Sequence, residues 1–222
     1  MTGYESCLLC EHRCAVDRTA GPAGACRAAA APRIFCEVVE FGEEAEFVPA
    51  YAVSFSGCNF RCPFCITGGP SQDAGVGDAA DPGALERRIR IGIEEGARSV
   101  FFLGGEPTIH LPFVLEVARR LRPSPVPLVL KTNLYSTPAA LGAALDAFDA
   151  AVADYKFGND RCAARLGACV GYTAVLRRNL RIVAARRQLI VRHLVMPGHV
   201  ECCLAPVIEW TRRELPAARL SV

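Results

Sequence analysis

Tyr51-Ala52-Val53-Ser54-Phe55-Ser56-Gly57-Cys58-Asn59-Phe60-Arg61-Cys62-Pro63-Phe64-Cys65 is the stretch on which the reading of the whole chain turns. Residues 51–55 have the β-branched and aromatic character of a strand. The strand runs into a loop with three cysteines, Cys58, Cys62 and Cys65, spaced C-x3-C-x2-C. Thiolates are the natural ligands of an iron–sulfur cluster, and a cubane ordinarily takes four. A tight loop that delivers three leaves one iron with an open position. That suits the binding of a substrate or cofactor better than plain electron transfer. The alternative for such a loop is a zinc knuckle completed by a distant fourth ligand.

Outward from this loop, strand-like and helix-like segments alternate. Strands are expected at 51–55, 99–103, 128–131, 151–155, 189–195 and from 218 onward, and helices at 85–96, 113–121, 138–148, 173–187 and 206–215. Such alternation implies a parallel sheet with right-handed crossovers. About six β/α steps are too few for a closed eight-stranded barrel. The expected fold is an α/β partial (β/α)6 barrel, curved and partly open, with its site at the carboxyl ends of the strands. Residues 1–48 differ, with five cysteines, several glycines and few apolar runs. The expected organisation is a cysteine-rich metal-binding segment, 1–48, followed by a core, 49–222.

Twelve cysteines in 222 residues need a reason. No secretory signal is visible and no apolar run reaches the length of a membrane span. A cytoplasmic protein is therefore expected, with no membrane partner, whose cysteines bind metal or carry redox chemistry. The formal net charge of +2 gives no basic footprint for nucleic acid. Of 25 Lys plus Arg only two are lysine, Lys131 and Lys156, both at the ends of expected strands. Chance retention and a chemical role are equally open for them.

The C-x3-C-x2-C loop, with Phe64 before its last cysteine and a β/α domain behind it, resembles the radical S-adenosylmethionine (SAM) superfamily over residues 50–222. The resemblance implies a barrel of the radical SAM type and a 4Fe-4S cluster on Cys58, Cys62 and Cys65 whose open iron chelates SAM. It implies an oxidoreductase that reductively cleaves SAM to a 5′-deoxyadenosyl radical, which abstracts hydrogen from a substrate. It also assigns SAM-binding residues. Phe64 would lie against the adenine. Gly104-Gly105-Glu106 would receive the amino group, with the glycines allowing close backbone approach. Thr132-Asn133 would reach the ribose or carboxylate. Asp154 and Lys156, on one side of an extended chain, would bracket the methionine end. Arg192 could pair with the carboxylate. His193, facing away from Arg192, reads as packing or capping.

Cys7, Cys10, Cys14 and Cys26 form C-x2-C-x3-C-x11-C, a closed set suited to a structural zinc or a second iron–sulfur cluster. His12 among them is expected to be solvent-exposed. Cys36, Cys162, Cys169, Cys202 and Cys203 read as small buried hydrophobes. In some radical SAM enzymes such a cysteine donates hydrogen or carries a methyl group.

Within the superfamily, Thr132-Asn133, Asp154-Tyr155-Lys156 and the Arg192 strand resemble the activating-enzyme-like branch, near relatives of pyruvate formate-lyase activating enzyme. Two features depart from it. Ile66-Thr67 stands where activating enzymes carry an Asn two positions after the last cluster cysteine, and the upstream cysteine set replaces an eight-cysteine insert. The chain is also expected to stop, at Val222, before the last element of such a core. The resemblance implies a flavodoxin- or ferredoxin-type electron donor and a protein or peptide substrate, glycyl radical installation included. A small molecule such as a sugar (epimerase or dehydrogenase) and a non-enzymatic metal or iron–sulfur protein remain as the other readings.

Overall fold

The structure is a computed structural model and describes residues 3–222. Strands β1 (Arg33–Glu40) and β2 (Ala50–Phe55) pair antiparallel, and the short β3 (Asp78–Ala79) pairs antiparallel with β1. From β2 onward, β4 (Ser99–Gly104), β5 (Leu128–Thr132), β6 (Ala150–Asp154), β7 (Gln188–Arg192) and β8 (Arg219–Ser221) run parallel, each bonded to the one before. The strand order β3-β1-β2-β4-β5-β6-β7-β8 ends on two different edges, so the sheet curves as a partial barrel and stays open. Six parallel strands match the six β/α steps read from the sequence.

The helices are α1 (Gly69–Gln72), α2 (Pro82–Glu94), α3 (Leu111–Leu121), α4 (Pro138–Ala147), α5 (Asp160–Gly167), α6 (Tyr172–Ala184) and α7 (Ala205–Glu214). Three begin on a side chain that accepts from the first turn: Asp81 from Ala84 N, Thr137 from Ala140 N and Asn159 from Cys162 N. Such caps satisfy amide donors that a helix start leaves without partners. None of the helices among the described residues is long and apolar enough to cross a membrane.

The period-2 alternation of strand side chains sorts this sheet into two faces. Val53, Phe55, Val100, Phe102, Leu128 and Leu130 pack under α2, α3 and α4, while Ala151, Ala153, Leu189 and Val191 pack under α6 and α7. The inner face starts as a small apolar plug of Phe47, Ala50, Ala52, Phe101, Val129, Val152 and Ile190. Two residues further along three of the same strands, the inner position is held by Lys131, Asp154 and Arg192. One face of each strand thus runs from a dry floor to a charged top.

The sequence reading needs five corrections. β1 lies inside the segment taken as loop-rich: only Ile34 is buried along it, so it lacks the apolar run that announces a strand. The sequence reading places no helix between the strand at 151–155 and the helix at 173–187, yet α5 lies in that interval and starts at the Asn159 cap. The strand expected at 189–195 stops at Arg192, and the helix expected at 173–187 stops at Ala184. Cys36 is exposed rather than buried, because it lies on the wall of the open cavity.

Candidate active site

All the residues assigned to the cluster and to SAM line one cavity of about 750 Å³ at the carboxyl ends of the parallel strands. The wall is formed by Cys58, Cys62, Phe64 and Cys65 from the loop after β2, Gly104, Gly105 and Glu106 after β4, and Thr132 and Asn133 at the end of β5. Asp154, Lys156 and Arg192 complete it from β6 and β7. That volume is in the range of small-molecule and cofactor sites.

The loop is pinned where it leaves β2. Glu106 N donates to Gly57 O at 2.9 Å and Gly105 N to Phe55 O at 2.8 Å. A Cβ on Gly105 would sit 2.0 Å from Gly57 O, so the two loops approach this closely only because position 105 is glycine. Phe60, 1% exposed, anchors the loop edge-on against Tyr135 and Tyr172. Arg61 donates to Cys58 O at 2.8 Å and to Ala25 O at 2.6 Å, tying the amino-terminal segment to the loop. His12 does the same, with Nε2 2.8 Å from Asn59 O, so it is half-buried against the loop rather than free in solvent.

The three thiols fit a cluster. None is in a disulfide, and all face the one cavity. Cys58 Sγ accepts from Phe60 N at 3.3 Å and lies 3.8 Å from Asn133 Nδ2. Cys65 Sγ lies 3.3 Å from the Ser71 hydroxyl. Burial pushes the Cys58 thiol far up and the Cys62 thiol up to about 11, although nearby Lys156 pulls Cys62 the other way. At Cys65 burial also works against ionisation, but donors from Ser71, Gly68 and Thr67 outweigh it and lower the thiol. A soft metal would deprotonate all three on binding.

Glu106 is turned inward and is 1% exposed. Its Oε1 accepts from Thr108 N (3.1 Å), Thr108 Oγ1 (2.7 Å) and Thr132 Oγ1 (2.8 Å), and its Oε2 accepts from Asn133 N at 2.7 Å. The carboxylate therefore fastens the end of β5 to the end of β4. Asn133 in turn donates from Nδ2 to Asn59 Oδ1 at 2.7 Å, which links the end of β5 to the cysteine loop.

The charged top is an ion-pair network. Lys156 Nζ lies 2.7 Å from Asp154 Oδ2, and Arg192 Nε lies 3.5 Å from Asp154 Oδ1. Burial disfavours both charges, but mutual attraction wins: Asp154 is held below the usual carboxylate range and Lys156 above the usual amine range. The sequence reading missed Glu40 and Glu43. Glu43 pairs with Lys131 and, at 3.2 Å, with Arg192. Glu40 lines the cavity with an unpartnered buried Oε1, and burial beside Glu43 raises its carboxyl. Both come from the β1 end, in a run of acids whose only sequence signal was charge. His193 meets Tyr155 O with Nδ1 at 2.7 Å, in keeping with a capping role, but it lines the cavity together with Arg192 rather than facing away from it, and its Nε2 has no partner.

Cys7, Cys10, Cys14 and Cys26 line a second, small pocket together with Arg18 and Ile109. Arg18 is buried there and donates to Ala28 O, Ala29 O and Ile109 O. Among the described residues, the group that draws its donor atoms within 4.8 Å of one another is a different one, Cys162, His199, Cys202 and Cys203.

This arrangement agrees with what comparison with known proteins finds. The chain belongs to the radical SAM superfamily, whose family model matches residues 53–211. It is 31% identical to the uncharacterized protein MJ0674 of Methanocaldococcus jannaschii over 99% of this chain and 65% of that protein. It is 37% identical over 76 residues to a probable GTP 3′,8-cyclase of Thermococcus kodakarensis, covering 34% of this chain and 24% of that one. The chain thus spans less than two thirds of the length of these relatives. Among solved structures, Streptococcus suis SuiB bound to the precursor peptide SuiA superposes with a TM-score of 0.58 at 14% identity, covering 70% of this chain and 34% of that one. TYW1 with a lysine-pyruvate adduct superposes at 0.53 and 15%, covering 78% and 63%. These structures share the fold.

Proposed function

We propose that this chain binds SAM at a 4Fe-4S cluster held by Cys58, Cys62 and Cys65, and acts on a protein or peptide. When bound, the cluster and SAM supply reductive cleavage to a 5′-deoxyadenosyl radical that takes hydrogen from a substrate. The chain's own residues do the rest. Cys58, Cys62 and Cys65 hold the metal. Phe64 offers an apolar wall, packed edge-on to Phe157 at 6.0 Å. Asp154, Lys156 and Arg192 meet the charged methionine end.

The observation that carries the substrate class is the rim. Ile66 (91% exposed), Leu194 (51%) and Val38 (45%) all belong to the cavity wall yet stand in solvent. An open barrel edged with exposed apolar side chains suits an extended chain that buries them. Glycyl radical installation by an activating-enzyme-like member is one form of this, with a flavodoxin- or ferredoxin-type donor supplying electrons. The resemblance to a probable GTP 3′,8-cyclase supports the second reading, a small polar substrate at the charged top. We place the protein in the cytoplasm and treat residues 1–48 as a metal-binding segment whose strand β1 joins the sheet of the core.

The test is anaerobic reconstitution with iron and sulfide, then SAM and dithionite, with 5′-deoxyadenosine assayed by mass spectrometry. The wild type should form it and Cys62→Ala should not. An iron-loaded wild type that leaves SAM intact would remove the enzymatic reading. Stimulation by a macromolecular fraction, lost on proteolysis, supports a peptide substrate; stimulation by nucleotides or sugars supports the second reading.

A further inference from the structure

Three thiols and one imidazole outside the cavity meet at a point. Cys162 lies in the first turn of α5, while His199, Cys202 and Cys203 lie in the segment between β7 and α7. The Cys162–Cys202 and Cys202–Cys203 sulfur distances are both 3.9 Å. His199 Nδ1 is 3.6 Å from Cys162 Sγ, 3.3 Å from Cys202 Sγ and 3.8 Å from Cys203 Sγ.

These are five of the six edges of a tetrahedron around one ion, and the sixth, Cys162–Cys203, is within 4.8 Å. Zinc bonds of about 2.3 Å to sulfur and about 2.0–2.1 Å to nitrogen put two sulfurs about 3.8 Å apart and a sulfur and nitrogen about 3.5 Å apart. A cubane spreads its four cysteines over four separate irons and cannot accept thiolates this close together. Three soft thiolates and an imidazole are a zinc donor set.

The backbone is shaped for this convergence. Val200–Leu204 forms a π-turn, in which Leu204 N donates to His199 O at 3.2 Å, as Cys203 N does at 2.9 Å. The widened turn brings the adjacent Cys202 and Cys203 to the same His199 nitrogen, and such turns are frequent at functional sites. Asn159 supplies the surroundings: its Nδ2 lies 3.3 Å from Cys162 Sγ and donates to Cys202 O at 2.7 Å, while its Oδ1 accepts from Cys162 N at 2.8 Å. Hydrogen bonds of this kind around ligands orient a metal site. A Cβ on Gly158 would lie 2.6 Å from Cys203 O and 2.7 Å from Cys202 O, so glycine lets the two segments meet.

We infer that Cys162, His199, Cys202 and Cys203 form a closed, mononuclear zinc site separate from the cluster loop. Its place explains its use. One arm of the site continues directly from Lys156 and the other from Arg192 and His193. The ion would lock the segments that follow β6 and β7 against each other and hold the charged top of the cavity. It is a structural clamp, with all four positions filled by protein.

The test uses the full chain produced with zinc in the medium. The Cys162→Ser and Cys202→Ser variants should each lose about one equivalent of zinc per chain by elemental analysis, while Cys10→Ala keeps that equivalent. Cobalt(II) in place of zinc should give the intense d–d and thiolate charge-transfer bands of a tetrahedral S₃N site, and His199→Cys should retain the metal with stronger charge transfer. Should the serine variants not fold, the wild type suffices. Cys162, Cys202 and Cys203 should resist alkylation while zinc is bound and react after a strong chelator such as 1,10-phenanthroline removes it, read by peptide mass spectrometry. Equal alkylation before and after release, or serine variants with unchanged zinc, would overturn the site. Iron with sulfide at these four ligands would overturn its mononuclear character.

Discussion

Glu43 Oε2 lies 3.2 Å from Arg192 Nη1 and joins the turn after β1 to the end of β7, across 149 residues of chain. The same carboxylate holds Lys131. An internal acid therefore occupies two of the three cations at the cavity top. Asp154 occupies the third, Lys156, and shares Arg192.

These two acids should respond to substitution in opposite ways. Glu43→Gln frees Lys131 and Arg192 for the carboxylate of SAM and should tighten its binding by about threefold, less than 1 kcal/mol. Asp154→Asn removes the partner for an amino group and should weaken binding by about tenfold, ~1.4 kcal/mol. Equilibrium dialysis on the reconstituted protein decides it; a shift of both variants in the same direction would sink the assignment.

Glu106→Gln should destabilise the fold by about 1–3 kcal/mol, because an amide group must then face donors that a carboxylate satisfied. Four such donors converge on Glu106. Urea unfolding at equal metal loading measures this. An unchanged midpoint would show that the end of β5 is held by other contacts.

Stability should fall on the acid side because of His110. It is 1% exposed, its Nε2 is bonded to Ser56 O at 2.9 Å, and its Nδ1 has no partner. Burial lowers its pKa to about 4 from an ordinary 6.5. Between those values the unfolded chain binds the proton and the folded chain does not. The histidine's contribution is therefore whole above pH 6.5 and is lost as pH falls towards 4, about 3 kcal/mol in all. His110→Gln, compared with the wild type by urea unfolding at pH 7.5 and 5, should be less stable at the higher pH and lose less on acidification. Parallel losses in the two proteins would refute it.

Cys10→Ala should lower the metal content of the amino-terminal segment and leave the iron of the Cys58 loop in place. Cys7, Cys10, Cys14 and Cys26 share one pocket, and Arg61 and His12 couple that segment to the loop. A metal count equal to wild type would mean that Arg18 and apolar packing hold the segment without an ion.

The parallel sheet and the loop chemistry were legible because both are local. Apolar runs of four to six residues and a C-x3-C-x2-C spacing survive in one dimension. Thr132, Asn133, Asp154, Lys156 and Arg192 were found through resemblance, and each stands at a strand end. What escaped is what depends on distant contacts. β1 is half solvent-facing, so its alternation is faint. Glu43 gains its partners only when the sheet curves. Cys162 is 40 residues from Cys202, and no spacing rule joins a helix start to a π-turn. Asn159 was given no role, although it is the cap that starts α5 and orients Cys162.

Lys131 and Lys156 are the lysines of this chain, and both border one cavity. Every ε-amine is therefore a reporter of the same place. Under alkaline conditions that deprotonate these ion-paired amines, an amine-directed electrophile that reacts at lysine reports on the cavity, and its rate at the two positions registers what fills it. A tethered cross-linker on either amine would start from the mouth through which a substrate must pass.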